Sequence, residues 1–334
     1  VMDRVFWGDM RLSPAQMTAL GIDTGKNAWA RHHLGDFGRA GIEAEEAHAT
    51  QMLNAIRAIP TEGLDEPQKV HHAVVTDMLE KRLWGAPFGM GSVYSPYVLS
   101  HMGGAYSSIP SFMDTKHPVE SEDDAVAYLQ RMVQFGQGLD DETALQREQA
   151  AKGYLAPAWS LDIAIAQIRA MAETPVAQSR LVTSLAERAE AAGIAGDWAA
   201  RAAAIMTETV NPALLRQAAM LEELKPTAAE GDGVWRVPNS EELYRLELAN
   251  STTTDLTAEE IHQIGLRQVA ELSAELETML AEVGLTTGTV GERLTQFNSR
   301  PEQLYPNTPE GRAAMLADLN ASNDAMQAKL PQAF

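Results

Sequence analysis

"TTTDLTAEEIHQIGLRQVAELSAELETMLAEVG", residues 252 to 284, decides the fold class. Thr257 and Glu260 are spaced as a capping box, in which each side chain satisfies a free backbone N–H at the start of a helix. Apolar residues then recur at three- to five-residue intervals until Gly284, as expected for one face of a helix; they are Ile261, Ile264, Val269, Leu272, Leu276, Met279 and Val283. The stretch predicts a long amphipathic helix.

The same signals recur along the chain, with Ser, Thr or Asp before an apolar period and Gly or Pro after it. They predict helices from residue 13 and over 36–58, 66–83, 121–136, 140–152, 160–173, 175–192, 197–224, 240–249 and 309–329. Pro212 is expected to start or kink a helix, because proline lacks an N–H and clashes one turn back. Only "GVWRVP", 233 to 238, suggests a strand. The predicted fold class is mainly α.

One segment, from about 85 to 118, breaks this pattern with recurring glycine and proline, which preclude a continuous helix. Its aromatic residues Tyr94, Tyr97, Tyr106 and Phe112 favour an ordered segment over a flexible linker. Connections of this length in compact domains are usually functional or disordered. We expect a long ordered Gly/Ser/Tyr loop between helices at about 13–84 and helices at about 121–329, within a single helical region covering 1–334.

Composition excludes several classes of protein. The formal charge of -20 disfavours nucleic-acid binding, which relies on Lys and Arg neutralising phosphates. The absence of cysteine excludes disulfides and thiolate chemistry. No run of about 18 apolar residues exists, so no membrane span is expected. The start Val1-Met2-Asp3 is not a normal translation start, which suggests that an upstream segment was removed.

Histidines are candidates for metal binding, but no H-E-x-x-H occurs. The pairs His32-His33 and His71-His72 would point about 100° apart on a helix. Two E-x-x-H spacings remain, Glu45 with His48 and Glu259 with His262, which is the spacing that di-iron helical bundles use. A di-iron site built from these four residues is therefore an alternative.

The loop itself offers His101 beside Gly103 and Gly104. Its imidazole either hydrogen-bonds a ligand or a developing oxyanion, or ties the loop to a helix. Ser107 and Ser108 suggest a nucleophile, but serines in such segments commonly satisfy backbone groups. Both alternatives stay open for His101.

Two stretches, "YVLSHMGGAYSSIPSFMDTKHPVESEDDAVAYLQRM" (97–132) and "GVWRVPNSEELYRLELANSTTTDLTAEEIHQIGLRQVAELSAELE" (233–277), resemble the bacterial DUF885 family. That family is similar to the zincin-like, gluzincin-type metallopeptidases. Its members carry an H-E-x-P-G-H-H type zinc helix and a further carboxylate ligand in their C-terminal half. This sequence stops at "DAMQAKLPQAF", where that half should begin.

The resemblance implies that the chain is the N-terminal, substrate-cleft half of a zinc-dependent peptidase or amide hydrolase. Zn, its ligands and the glutamate base would lie in the missing C-terminal half, so this chain would hold no catalytic residue and no metal ligand. The expected substrate-binding residues are Tyr97, His101, Gly103, Gly104 and Tyr106. A peptide substrate is expected, and so is a periplasmic or secreted location after removal of an export signal.

The C-terminal catalytic half is the expected partner, either as a separate chain or as a removed segment. A half-domain would expose apolar surface meant for that partner. Homo-oligomerisation is a further possibility. Besides the di-iron oxidoreductase, one more alternative is a non-catalytic helical module whose 85–118 loop receives a peptide or partner protein.

Overall fold

The computed structural model describes residues 1–91, 93 and 96–333. In this part of the chain it contains fourteen α-helices and no strand beyond a single bridge between Ser100 and Gly103. The mainly α prediction is confirmed. The helices are α1 (Met2–Leu12), α2 (Pro14–Ala19), α3 (Arg39–Arg57), α4 (Glu66–Arg82), α5 (Ala105–Thr115), α6 (Glu122–Ala151), α7 (Ala158–Glu173), α8 (Arg180–Ala191), α9 (Trp198–Ile205), α10 (Asn211–Leu224), α11 (Ser240–Thr252), α12 (Ala258–Glu282), α13 (Val290–Asn298) and α14 (Pro309–Gln327).

The chain divides into two compact units, a large unit of residues 1–254 and a small unit of residues 255–334. The sequence shows no spacer at this boundary, which falls just before the capping box of α12. Whether the chain is one domain, as the sequence predicts, stays a prediction.

The main core of the large unit surrounds α6 and draws on α5 and on α7 to α10. The sequence predicts two helices here, over 121–136 and 140–152, but α6 is continuous. Gly136 and Gly138 do not end it, because they serve close packing. A Cβ added to Gly136 would lie 2.5 Å from Thr209, and one added to Gly138 would lie 2.7 Å from Phe37.

Pro212 interrupts the predicted helix 197–224, as expected. The helical path ends as α9, passes through a π-helical segment at Met206–Val210, and resumes as α10 with Pro212 in its first turn. A first-turn position needs no intrahelical N–H bond, which is why proline is tolerated there.

The prediction of one long loop over 85–118 is wrong in its second half, where α5 occupies residues 105–115. Pro110 lies inside this helix. Ala105, Ile109 and Met113 recur every four residues and are buried in the core, so burial of this apolar face outweighs the cost of the proline. The irregular segment therefore ends at Gly104.

The predicted strand at 233–238 is also wrong. Residues 234–236 form a single 3-10 turn, Val237 is buried, and no extended segment in the described part of the chain lies ready to pair with it. A strand needs a partner for its backbone groups, and Val237 is buried without one while Trp235 is exposed.

The small unit holds α12, α13 and α14, and the capping box predicted for Thr257 and Glu260 is present. The helix begins at Ala258, six residues after the start of the quoted stretch. None of the seven stripe residues is buried. In the described part of this unit, Leu280 and Leu285 are the buried apolar residues. The amphipathic helix forms as predicted, but its apolar face is left uncovered.

Candidate functional site

The irregular segment before α5 contains a closed turn at residues 100–103. Ser100 N donates to Gly103 O at 3.0 Å, and Gly103 N donates back to Ser100 O at 3.3 Å. Gly104 follows with φ 147°, a conformation that favours glycine. A Cβ there would also lie 3.2 Å from Leu99 and 3.1 Å from Tyr106. The Gly103-Gly104 pair thus turns the chain sharply into α5.

Three buried polar side chains of α6, Glu142, Gln146 and Gln149, hold this segment in place. We call them the α6 polar row, since spacings of four and three place them on one helix face. Gln149 Nε2 donates to Gly89 O at 2.7 Å, and Gln146 Oε1 accepts from Leu99 N at 3.1 Å. Glu142 Oε1 accepts the first N–H of α5 at 2.8 Å. The segment is therefore ordered through buried side-chain bonds to its backbone.

Glu142 is the titratable member of the α6 polar row. Burial raises the pKa of Glu142 to about 7, although hydrogen bonds from Ala105 N and Gln217 oppose this rise. Gln217 Nε2 donates to Glu142 Oε2 at 2.9 Å, while Gln217 Oε1 is buried without a hydrogen-bond partner in the described structure. The carboxyl that anchors α5 thus changes charge near neutral pH.

His101 lies in the turn and contacts the start of α7. His101 Nδ1 lies 2.8 Å from the buried hydroxyl of Ser160, and its ring centroid lies 4.9 Å from that of Trp159. This is the arrangement expected if His101 ties the loop to a helix. The bond to Ser160 leaves Nε2 uninvolved, and a direct role for His101 in ligand binding stays a prediction.

Tyr106 is 2% exposed and belongs to the core of the large unit. Its hydroxyl donates to Gln167 Oε1 at 2.6 Å and lies 3.0 Å from Ser100 O. Burial and the nearby Glu142 carboxylate raise the pKa of Tyr106. Tyr106 therefore helps to hold the turn through its hydroxyl, and its direct contact with substrate stays a prediction.

The two serines after the turn act on the backbone. Ser107 Oγ and Ser108 Oγ donate to Gly104 O at 3.2 Å and 3.0 Å. These bonds are the backbone role expected for serines in such a segment.

Tyr97 lines an open cavity of about 640 Å³ in the large unit. Its walls include Trp235, Leu243 and Tyr244, which the sequence reading did not single out. Trp159 connects this cavity to His101, because Trp159 Nε1 donates to Asp232 Oδ1 at the cavity edge, 2.9 Å away. Tyr97, His101 and the turn glycines thus lie along one continuous region.

Some of these residues had a readable signal in the sequence and some did not. The α6 polar row appears as polar residues at i, i+4 and i+7 within an otherwise apolar face, a pattern that marks buried partners for backbone groups. Trp235 was not identified as a cavity residue, because the stretch 233–238 was predicted to be a strand. Tyr94, which the sequence reading used as a sign of order, lies outside the described residues.

No group of three or more His, Asp or Glu in the described residues is arranged to hold a metal ion. His48 Nε2 lies 3.3 Å from Val5 O and 3.5 Å from Asp9, and burial raises the pKa of Glu45. Glu259 accepts a hydrogen bond from Gln263. One member of each E-x-x-H pair, His48 and Glu259, therefore has a local partner, and the di-iron alternative gains no support.

No helix in the described ranges combines the length and apolarity that crossing a bilayer requires.

Comparison with known proteins gives one family and one similar structure to report. The profile described as "Bacterial protein of unknown function (DUF885)" matches residues 14–334. A solved structure described as "the putative lipoprotein from Colwellia psychrerythraea" superposes with a TM-score of 0.89 at 23% identity, which shows a shared fold. No curated protein matches the chain.

The lengths differ between the chain and that structure. The superposition covers 97% of this chain and 57% of the Colwellia chain. The family match extends over nearly the whole chain and does not bear out the expectation that the chain is only an N-terminal half.

Proposed function

Because the chain belongs to the DUF885 family, we propose that it forms the helical, substrate-binding part of a zinc-dependent peptidase or amide hydrolase. The observation that carries the proposal is the ordered turn at 100–103 beside the open aromatic cavity. A flexible connection would not need three buried polar side chains to fix its backbone. A segment held this firmly at a cavity edge is suited to positioning an extended substrate.

The residues that the structure describes do not fit a zinc site, since they contain no cluster of His, Asp or Glu able to hold one. The proposal therefore places the zinc, its ligands and the glutamate base in a further C-terminal part of a longer protein. The role of this chain is to bind and orient the peptide.

The small unit supports the existence of such a part. Val269, Leu272 and Met279 of α12 are each more than half exposed, as are Leu316 and Leu319 of α14. The spacing of Val269, Leu272 and Met279 places them on one face of α12, and an exposed apolar helix face is typical of an interaction site. The superposition leaves part of the Colwellia chain unmatched, and we propose that a further part of a longer protein packs over these exposed residues. Self-association of this chain is the competing outcome.

Location is part of the same proposal. The Colwellia protein is described as a "putative lipoprotein", which supports a periplasmic or secreted location for this chain. Cell fractionation of the native host, with detection of this chain, tests it.

The function is tested by comparing this chain with the longer protein. Metal analysis should find near-stoichiometric zinc in the longer protein and none in residues 1–334. The longer protein should cleave peptide or amide bonds, lose that activity on chelation and regain it with zinc. Full activity after zinc removal, or turnover by this chain alone, would contradict the proposal.

A second function, a non-catalytic peptide-binding module, is favoured by the open cavity beside the ordered turn. It predicts that the longer protein binds peptides but cleaves none, with or without zinc. The same activity measurement therefore separates the two functions.

A further inference from the structure

The cavity beside Tyr97 has a wall of large, solvent-accessible aromatic side chains. Trp235 is 73% exposed and Tyr244 is half exposed, which is unusual for side chains of this size. Together with Leu243 and Val234 they give the cavity a mainly apolar lining. Its volume of about 640 Å³ falls within the range of small-molecule and side-chain pockets.

The position of Trp235 depends on Gly233. A Cβ added to Gly233 would lie 1.6 Å from Cζ3 of the Trp235 ring, so the indole packs directly on the glycine backbone. The backbone of Gly233 has φ -88° and ψ 167°, which any residue adopts. A glycine is therefore required here to leave room for the indole ring, and the backbone conformation does not require one.

The segment that carries Trp235 is fixed at its end. Asn239 has φ 55°, and its Nδ2 donates to the Tyr154 hydroxyl at 2.9 Å. Pro238 packs against Gly153, where an added Cβ would lie 2.9 Å from the proline ring. The aromatic wall is thus held before any ligand binds.

The charged residues among those that line the cavity are all acidic. Asp232, Glu241 and Glu247 lie among its lining residues, and none of the described lining residues is Lys, Arg or His. The nearby Arg236 is turned to the backbone, since Nη2 donates to Leu155 O and Nη1 to Ala229 O. Its guanidinium carbon lies 5.2 Å from the Tyr97 ring. The cavity therefore presents carboxylates around an aromatic surface.

We propose that this cavity binds the side chain of a basic residue, Arg or Lys, of a peptide. The aliphatic stem of such a side chain matches the apolar wall, and its charged end is attracted both by aromatic faces and by the carboxylates. An acidic or phosphorylated side chain would be repelled by the three lining carboxylates, which outnumber the nearby cation of Arg236. This inference rests on the proposed function for its choice of a peptide as ligand.

Binding is tested by calorimetry on the 334-residue chain with two probes, N-acetyl-arginine amide and the neutral N-acetyl-norleucine amide. The arginine probe should bind at least about fivefold more tightly at low salt and lose this advantage at high salt. Equal binding of the two probes, or tighter binding of the neutral one, overturns the proposal, and so does absence of binding by both.

Two sets of variants locate the effect. Glu241→Gln combined with Glu247→Gln should weaken arginine-probe binding about three- to tenfold. The matched control is Glu242→Gln, whose carboxylate pairs with Arg245 and does not line the cavity. It should change binding less than about twofold. An equal effect of control and double variant would contradict the proposal.

Gly233→Ala keeps every charge and moves the indole. It should weaken binding of both probes, and circular dichroism should show an unchanged helix content. Unaltered affinity for both probes would remove Trp235 from the binding surface and overturn the proposed geometry.

These measurements need neither zinc nor turnover, so the two proposals fail independently. Charge-dependent binding without any zinc-dependent hydrolysis by the longer protein leaves the cavity assignment standing and removes the peptidase. Zinc-dependent hydrolysis without charge-dependent binding leaves the peptidase proposal standing and removes the cavity assignment.

Discussion

The large unit buries polar side chains, whereas the small unit exposes apolar ones. In the large unit, Glu142 and Gln146 lie in the interior and bind backbone groups of the turn segment. In the small unit, Leu272 and Met279 lie on a well-formed, correctly capped helix and face no core. Both units follow the local rules for helices, so the difference lies in what covers them.

This difference shows that the sequence signals that form a helix are separate from those that supply the residues packed over its apolar face. A capping box and an apolar period suffice to predict α12, because they act through local hydrogen bonds and spacing. The residues that pack over a helix come from other segments of the protein. In the small unit, the described residues bury little of the apolar face of α12. We therefore interpret the small unit as a surface that another part of the protein completes.

The largest expected contrast is between two leucines. Leu161 of α7 is fully buried, so Leu161→Ala should lower the free energy of unfolding by about 2–5 kcal/mol through lost burial and a cavity. Leu272→Ala, on the exposed face, should change it by less than about 0.5 kcal/mol. Urea unfolding of each variant measures both values.

The same two substitutions distinguish the 334-residue chain from the longer protein. In the longer protein Leu272→Ala should cost about 1–3 kcal/mol, because the leucine is then covered. Comparable losses for the two leucines in the 334-residue chain would contradict the contrast between the units.

A smaller effect concerns the buried carboxyl of the large unit. The folded-state pKa of Glu142, about 7, lies above its ordinary value of 4.5. The folded state therefore holds the proton more tightly, and the resulting stability is fully present below pH 4.5 and lost as the pH rises through 7. Glu142→Gln cannot titrate, so from pH 4.5 to 8 it should gain about 1–3 kcal/mol relative to the unsubstituted chain.

The glutamine variant is a fair test because it keeps the contacts. Its amide oxygen can accept from Ala105 N. Its Nε2 replaces the oxygen that accepts from Gln217 Nε2, and a 180° turn of the Gln217 amide lets it donate to Gln217 Oε1, which is buried without a partner in the described structure. Unfolding curves at a series of pH values provide the measurement. A difference between variant and parent that stays constant with pH would show that Glu142 does not titrate in this range.

The smallest contrast lies within the turn itself. Gly104→Ala places a Cβ at φ 147° and against Leu99, and should cost about 1–2 kcal/mol. Gly103→Ala adds a Cβ to open space and serves as the matched control, with an expected change below about 0.5 kcal/mol. Thermal unfolding compares them, and an equal cost at both positions would contradict the close packing at Gly104.

Sequence reasoning succeeded where structure is local. The predicted helices at 36–58 and 66–83 correspond to α3 and α4 within a few residues. It failed where distant packing decides. Gly136 and Gly138 indicate the end of a helix when the sequence alone is considered. In the structure, Thr209 and Phe37 pack closely against them because the glycines have no side chain. Neither partner is adjacent in sequence, so no local pattern identifies it.

The candidate site shows the same limit. Glycine and aromatic residues of the segment 85–118 indicated an ordered loop, and the structure places the turn at 100–103 of that segment beside a cavity. The roles within it were not readable, because the burial of Tyr106 and the contact of His101 with Ser160 depend on α6 and α7. Trp235 and Tyr244 come from more than a hundred residues further along the chain.

Methionine oxidation tests the interpretation of the small unit most directly. Met279 and Met326 are 60% and 56% exposed, while Met113 and Met132 are buried in the large unit and serve as slow controls. In the 334-residue chain, dilute peroxide should oxidise Met279 and Met326 much faster than the two controls, as peptide mass spectrometry can follow. In the longer protein, the rates at Met279 and Met326 should fall toward those of the controls; unchanged rapid oxidation there would contradict a covered small unit.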